Sequence, residues 1–161
     1  MGLQAREIVG IDLQEIIADL NRAYADEHIA AYAYYQMAQL VSGNLAEEFK
    51  DAISETAKEE GDHAQEIAAH IIALGGVPIK NIADLEDESN SGAIEIPENM
   101  TDLEAIIATI LAAEAGAIEV YQEIAAKTFG KDFVTHRLVT EILTDEVRHE
   151  DRFFTLKGRN A

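Results

Sequence analysis

This chain of 161 residues contains no cysteine and only two prolines. The lack of cysteine excludes disulfide bonds and thiolate metal sites. The scarcity of proline, which breaks helices, together with an apolar fraction of 48%, favours closely packed helices. The length allows a substantial hydrophobic core, and we expect residues 1–161 to form a single domain.

Basic residues are also scarce, because 12 Lys and Arg face 31 Asp and Glu, for a net charge of −19. Such a surface repels nucleic acid and anionic membranes and attracts cations. Residues 1–11 lack the pattern of a signal peptide, and charged residues interrupt every apolar run before it could cross a bilayer. We therefore expect a cytoplasmic protein that binds neither nucleic acid nor membrane. Many acidic residues often only keep a protein soluble. The negative charge therefore indicates cation binding only if the chain also has a metal site.

Four helices are predicted from apolar residues at helical spacing, with capping residues before them and glycines after them. Their predicted capping or opening residues are, in chain order, Asp12, Asn44, Thr101 and Asp132. The helices are predicted over about residues 12–42, 45–75, 102–129 and 132–157.

A polar stretch, roughly residues 76–100, separates the second and third predicted helices. Antiparallel neighbours need only a short loop, whereas this segment is long enough to travel the full length of a helix. We therefore expect an all-α four-helix bundle with a long crossover between helices two and three, which then run parallel.

Two Glu-x-x-His pairs stand out, and each has a further glutamate about 33 residues upstream. Residues three apart share a helix face, so the glutamate and histidine of a pair can bind one cation together. Each upstream glutamate and its paired glutamate lie about sixteen residues on either side of a predicted turn, which places them at one height in a hairpin. The candidate metal ligands are Glu27, Glu60, His63, Glu114, Glu146 and His149.

A lone Glu-x-x-His pair is usually a solvated salt bridge. Six ionisable groups that converge in a bundle core are costly without a counter-charge, and this favours a dinuclear metal centre. Mixed carboxylate and imidazole ligands suit iron or manganese. Iron is the expected metal, and manganese or zinc could occupy the same ligands.

Tyr34 and Tyr121 each follow an upstream glutamate by seven residues, which is two helical turns. Their hydroxyls can support a ligand carboxylate by a hydrogen bond or serve as one-electron donors, although either tyrosine could be simple core. The remaining histidines are weaker candidates: His70 could flank an access path or lie at the surface, and His28 and His136 are expected to be structural or exposed. The acidic neighbours of the ligands are expected to point into solvent, namely Glu59, Asp62 and Asp145.

The pattern of Glu27 and Tyr34, Glu60 and His63, Glu114 and Tyr121, Glu146 and His149 resembles the diiron site of the ferritin-like superfamily, over nearly the whole chain. The resemblance implies a ferroxidase centre within one bundle, with the six candidate residues as its ligands. The stretches ADEHIAAYAYY, YQEIAAKTFGKDF and ILTDEVRHE are most similar to Dps-like proteins with a bacterioferritin-type site, the thioferritins.

Departures from the pattern separate the subfamilies. Gly61 stands where bacterioferritins carry a haem-ligating methionine, so no haem is expected. Few residues follow the fourth helix, which favours a twelve-subunit cage over a 24-subunit cage with a fifth helix. Many thioferritins carry a cysteine pair that would fall near Gly116 and His136, and thiol chemistry is not available here. Ala117 replaces the extra glutamate of rubrerythrins.

These expectations lead to a main functional hypothesis and two alternatives. The first is an iron-storage and detoxification ferritin that oxidises Fe(II) with O2 or H2O2 and stores ferric mineral in a homo-oligomeric cage. The second is a rubrerythrin-like diiron peroxidase or oxidase without storage. The third, a structural or DNA-compacting bundle, is disfavoured by the acidic charge.

Overall fold

The computed structural model describes residues 4–160, apart from the side chains at positions 5, 159 and 160. Four long helices and two short ones make up this part of the chain, which contains no strand, as predicted. A short 3-10 turn, Ile82–Asp84, precedes the second short helix. The helices are α1 (Gln4–Glu7), α2 (Leu13–Leu40), α3 (Ala46–Ala73), α4 (Leu85–Glu88), α5 (Leu103–Thr128) and α6 (Phe133–Asn160).

Aspartates cap three of the four long helices. The Asp12 carboxylate accepts hydrogen bonds from the backbone N–H groups of Gln14 and Glu15, at 2.8 and 3.1 Å, as the sequence predicts. Asp132 opens α6 in the same way by accepting from the N–H of Thr135 at 3.1 Å. The cap of α5 is Asp102 and not the predicted Thr101, because it is the Asp102 side chain that accepts from the first turn.

The start of α3 contradicts the predicted cap at Asn44. Leu45 occupies the capping position in a left-handed conformation, with φ of 68°, and no side chain caps this end. The short turn after Gly43 therefore sets the entry of the chain into α3 through the backbone alone.

The turn between α5 and α6 depends on Gly130. This residue has φ of +71°, a conformation that side chains with a Cβ rarely adopt. The N–H of Asp132 then reaches back to the carbonyl of Thr128 at 2.9 Å, so α6 starts beside the end of α5. The stop signal predicted at Gly130 is confirmed.

Backbone contacts between the ends of the helices fix the topology. The N–H of Ser42 donates to the carbonyl of Met100 at 3.0 Å, so α5 begins at the end of the bundle where α2 stops and α3 starts. The N–H of Gly10 donates to the carbonyl of Lys131 at 2.9 Å, which places the start of α2 beside the α5–α6 turn. Helices α3 and α5 therefore run parallel, and the predicted crossover is confirmed.

The crossover lies along α2, which holds it at two points. The Asn21 side chain donates to the carbonyl of Val77 at 3.3 Å and accepts from the N–H of Ile79 at 3.0 Å. One and a half turns further along α2, the Asp26 carboxylate accepts from the backbone N–H groups of Asn90 and Ser91, at 3.0 and 3.2 Å.

The bundle core consists of two apolar clusters separated along the helix axes. One includes Met37, Phe49 and Phe153, and the other includes Leu20, Ile71 and Ile142, all fully buried. Between these clusters lies the layer of buried polar residues that forms the candidate site. Among the described residues, no helix is both long and apolar enough to cross a membrane.

Candidate metal centre

The structure brings all six candidate ligands together between the two apolar clusters. Each upstream glutamate comes from the first helix of a hairpin, and each Glu-x-x-His pair from the second helix. All six side chains are buried, with at most 6% of any residue exposed to solvent. They are Glu27 on α2, Glu60 and His63 on α3, Glu114 on α5, and Glu146 and His149 on α6.

These residues form two overlapping groups of four. In each group, one potential ligand atom from every residue lies within 4.8 Å of the others, which is close enough to hold one cation. Both groups contain the same two glutamates, Glu60 and Glu146. Their carboxylates are therefore in position to bridge two cations. The groups are Glu27, Glu60, His63 and Glu146, and then Glu60, Glu114, Glu146 and His149.

The two histidines present the same nitrogen to the acidic cluster. His63 Nδ1 lies 3.2 Å from Glu60 Oε2 and 3.2 Å from Glu146 Oε1, and 3.6 Å from Glu27 Oε2. His149 Nδ1 lies 3.1 Å from Glu60 Oε1 and 3.5 Å from Glu114 Oε2. The imidazole rings stack with centroids 6.0 Å apart. The arrangement is thus nearly two-fold symmetric about the shared carboxylates.

Burial and mutual repulsion raise the pKa of the carboxylates, whereas contacts with the two histidines lower it. Desolvation, with the negative charge of Glu146, raises the pKa of Glu27 well above its ordinary value, and desolvation raises the pKa of Glu114 to about 8. Desolvation would also raise the pKa of Glu60, but its close contacts with His149 and His63 outweigh this effect and lower the pKa to about 2. Four carboxylates in one dry layer therefore need added positive charge to be ionised together.

Unsatisfied polar atoms in the cluster fit a metal centre. Glu114 Oε2, Glu146 Oε1 and His149 Nδ1 are buried and, although each lies within 3.5 Å of a polar atom of the cluster, none makes a hydrogen bond of good geometry among the described residues. A buried polar atom without a partner is costly, and most are paired in native proteins. These three atoms face the interior of the cluster, where a cation would complete their coordination.

The second ring nitrogen of each histidine, Nε2, contacts a carboxylate on another helix. The prediction that these two carboxylates point into solvent is wrong. His149 Nε2 lies 2.6 Å from Glu59 Oε2, and His63 Nε2 lies 3.4 Å from Asp145 Oδ2. The contacts cross between α3 and α6. A carboxylate at this nitrogen fixes the ring orientation and the tautomer, leaving Nδ1 free to bind a metal. The third acidic neighbour, Asp62, pairs with Lys58 at the surface.

Glu59→Gln is expected to weaken metal binding or Fe(II) oxidation by about 10- to 100-fold, because the amide lacks the negative charge by which Glu59 raises the basicity of His149. Initial oxidation rates and Co(II) affinity measure this effect. Asp62→Asn on the same helix is the matched control and should leave both unchanged. Equal effects of the two substitutions would contradict the positioning role of Glu59.

The two tyrosines contact the cluster in a crossed pattern. Tyr34 on α2 donates to Glu114 Oε1 on α5 at 2.6 Å, and Tyr121 on α5 donates to Glu27 on α2. Each therefore supports the glutamate of the opposite hairpin, and not the one that precedes it by seven residues. Both hydroxyls are buried, and burial raises their pKa well above 10. They remain protonated donors at neutral pH.

Tyr34→Phe and Tyr121→Phe are expected to slow Fe(II) oxidation by about tenfold or less, since each removes one supporting hydrogen bond and no ligand. Stopped-flow absorbance at the ferric band measures the rate. Exposed Tyr32 on α2 offers a control substitution, Tyr32→Phe. A loss as large as that of a ligand variant would instead indicate that the tyrosine takes part in electron transfer.

The other three histidines lie away from the cluster. His70 contacts the hydroxyl of buried Thr135 at 2.7 Å and is not among the residues that line the cavity beside the cluster. His28 packs edge-on against Tyr24, and His136 contacts the carbonyl of Ala125 at 3.0 Å. The prediction of structural roles holds for His28 and His136.

Comparison with known proteins agrees with this geometry. Residues 17–158 match the family model described as a ferritin-like domain. The chain belongs to the ferritin-like family. The matched region includes all of α3 and α5 and most of α2 and α6, and therefore all six candidate ligands of this ferritin-like chain.

Two relatives show a similarity that extends over most of the sequence. A "DNA protection during starvation protein" from Pyrococcus furiosus is 33% identical over 147 residues, which cover 91% of this chain and 79% of that protein. A solved structure described as a dodecameric thioferritin, the bacterioferritin-related protein from Bacteroides fragilis, is 31% identical with a TM-score of 0.91. The match covers 98% of this chain and 96% of that one.

A more distant structure supports the fold alone. Dps from Thermosynechococcus elongatus is 18% identical, with a TM-score of 0.81 over 89% of this chain and 90% of that one. The ferritin-like four-helix bundle with its long crossover is thus shared across this group. The ferritin-like family binds iron, and the described part of this chain offers iron-type ligands in the buried cluster.

Proposed function

We propose that this ferritin-like chain is the subunit of an iron-storage and detoxification cage, in which each subunit oxidises Fe(II) with O2 or H2O2 at its own dinuclear centre. The observation that supports this most strongly is the pair of overlapping four-residue groups with two shared carboxylates. All of these ligands come from one chain. A centre of this kind does not need a partner subunit to be complete.

The proposed reaction uses iron as substrate. Two Fe(II) ions bound at the two groups supply two electrons, and H2O2 accepts them with two protons to give two water molecules; O2 accepts the same two electrons and two protons to give H2O2. Manganese or zinc could bind the same ligands, but zinc has no redox chemistry and cannot supply the electrons.

The residues of the chain supply binding, orientation and a dry environment for this reaction. The shared glutamates Glu60 and Glu146 hold the two cations close together, and the histidines provide one nitrogen to each. The apolar clusters on both sides of the layer exclude bulk water. The charge of −19 favours the approach of cations and their retention as mineral.

A closed homo-oligomer is part of the proposal, because a mineral must be kept apart from solvent. The Bacteroides fragilis thioferritin is described as dodecameric, and its similarity over 98% of this chain makes a dodecamer the favoured assembly. The name of the Pyrococcus furiosus relative refers to DNA protection. The strongly acidic composition argues against direct DNA binding here, and protection would instead follow from the removal of Fe(II) and peroxide.

Anaerobic titration with Fe(II), followed by admission of O2 or H2O2, tests the proposed function. Ferric absorbance is followed against iron added per subunit, together with native mass. Storage predicts soluble ferric iron far beyond two ions per subunit, in a particle of about twelve subunits. Saturation near two ions per subunit in a small particle would instead support the peroxidase or oxidase alternative. The absence of fast oxidation would reject both.

A further inference from the structure

A cavity of about 100 Å³ lies beside the dinuclear centre, between α2 and α5. This volume is sufficient for a few water-sized molecules. Its inner wall includes four of the candidate ligands and both buried tyrosines; the ligands are Glu27, Glu60, Glu114 and Glu146. Two of its carboxylate oxygens, Glu114 Oε2 and Glu146 Oε1, are buried and make no hydrogen bond of good geometry among the described residues. The cavity therefore leads to polar atoms that need a ligand.

Small side chains create this space. Where α2 and α5 face each other, the cavity is lined by alanines and one glycine, which leave a gap that larger residues would fill. A Cβ added at Gly116 would meet only the Ser91 hydroxyl, at 3.8 Å. The lining is mainly apolar apart from the ligands. The small residues are Ala23, Ala30, Ala112, Ala113, Gly116 and Ala117.

The crossover covers the outer side of the cavity. Ser91, Gly92 and Ile94 contribute to its lining, and Gly92 has a left-handed φ of +71° that lets the chain turn there. Asp26, itself part of the wall, accepts three hydrogen bonds from this segment: two from the N–H groups of Asn90 and Ser91, and one from the Asn90 amide at 2.5 Å. One carboxylate thus holds the cover in place.

We propose that this cavity is the port through which the small oxidant reaches the centre, and that the Asp26 contacts with residues 90–91 restrict it to molecules of the size of O2 or H2O2. The mainly apolar walls suit an uncharged oxidant better than a hydrated cation, which would lose its water shell there. The carboxylate of Asp26 at the mouth is already engaged by three donors. Entry of Fe(II) is therefore assigned to another route. The inference rests on the proposed function, because it needs an oxidising centre.

Two substitutions test the port in opposite directions. For each variant, the rate of Fe(II) oxidation is measured with H2O2 and with cumene hydroperoxide, whose phenyl group exceeds the cavity. Gly116→Leu fills the space, and the rate with H2O2 should fall at least tenfold. Asp26→Ala releases the cover, and cumene hydroperoxide, which should not react with the unaltered protein, should become an oxidant. Ala115→Leu, on the exposed face of the same helix, is the matched control and should behave like the unaltered protein.

The rate and stoichiometry of Co(II) binding separate the oxidant route from the metal route. Both should be unchanged in Gly116→Leu and Asp26→Ala. Slower Co(II) binding in Gly116→Leu would show that the cavity carries the metal and would overturn the assignment. If Gly116→Leu fails to bind Co(II) because it is misfolded, the reaction of Asp26→Ala with cumene hydroperoxide tests the proposal instead. No gain with cumene hydroperoxide in that variant would overturn the proposal.

Failure of the port and failure of the proposed function give different results. If the unaltered protein oxidises Fe(II) rapidly but Gly116→Leu does so equally well, the oxidant enters elsewhere and the function stands. If the unaltered protein does not oxidise Fe(II) with either O2 or H2O2, the function itself is rejected.

Discussion

Glu60→Ala is expected to reduce the initial rate of Fe(II) oxidation by at least about 100-fold. Changing a residue that only supports a ligand costs up to about 100-fold, and the loss of a ligand itself should cost at least as much. Glu60 belongs to both groups of four, so its removal leaves each group with three residues. It also removes carboxylate oxygens that lie 3.2 Å from His63 Nδ1 and 3.1 Å from His149 Nδ1. Neither half of the centre should retain normal affinity.

The matched control is Glu66→Ala, which removes the same side chain from an exposed position of the same helix. It changes the net charge equally and should leave the initial rate unchanged. Stopped-flow absorbance after mixing with Fe(II) and O2 or H2O2 measures both variants. A Glu60→Ala protein that binds and oxidises iron normally would show that the buried cluster is not the reactive centre.

Metal binding is expected to raise the melting temperature of the apo-protein by about 5–10 °C at a metal concentration of about 100 times Kd. At that ratio, binding to the native state alone adds about 2.7 kcal/mol, and about 1 kcal/mol shifts Tm by roughly 2–4 °C in a chain of this size. The physical reason is the buried layer of four carboxylates and its unsatisfied atoms, Glu114 Oε2, Glu146 Oε1 and His149 Nδ1. A cation removes repulsion that the apo-protein must otherwise carry or relieve by protonation.

Differential scanning calorimetry with Zn(II) or Co(II) measures the shift, and Mg(II) provides the control. Mg(II) prefers oxygen ligands and keeps several waters, so it should neutralise surface charge but bind poorly in a dry site with two imidazoles. Equal shifts with Mg(II) and Co(II) would indicate that the effect arises from the acidic surface. A specific centre predicts a large shift with Zn(II) or Co(II) but not with Mg(II), and the loss of this shift in Glu60→Ala.

The sequence predicted the helices and the placement of the six candidate ligands because both follow from local spacing. The i, i+3 relation fixes each Glu-x-x-His pair on one face, and equal distances from Gly43 and Gly130 bring the upstream glutamates to the same height. The end of α5 was predictable for a similar reason, since Gly130 is needed for a left-handed turn. The helix boundaries agree to within about three residues.

Features that depend on contacts between helices were not predictable from spacing. The crossed hydrogen bonds of Tyr34 and Tyr121 depend on how the two hairpins face each other. Glu59 and Asp145 looked exposed because each directly precedes a buried glutamate, yet each reaches a histidine on another helix. A sequence signal was present, since both Glu-x-x-His pairs carry an acidic residue at the preceding position. The predicted cap at Asn44 is wrong because Leu45 occupies the capping position of α3 in a left-handed conformation.

The most direct test of the central claim is a crystal structure of the protein soaked with Mn(II) or Fe(II), with anomalous difference maps at the metal edge. A dinuclear centre within each bundle predicts two peaks in each chain, with Glu60 and Glu146 contacting both ions and one histidine Nδ1 contacting each. Peaks confined to subunit interfaces, or an interior without any peak at saturating metal, would contradict a dinuclear centre built from one chain.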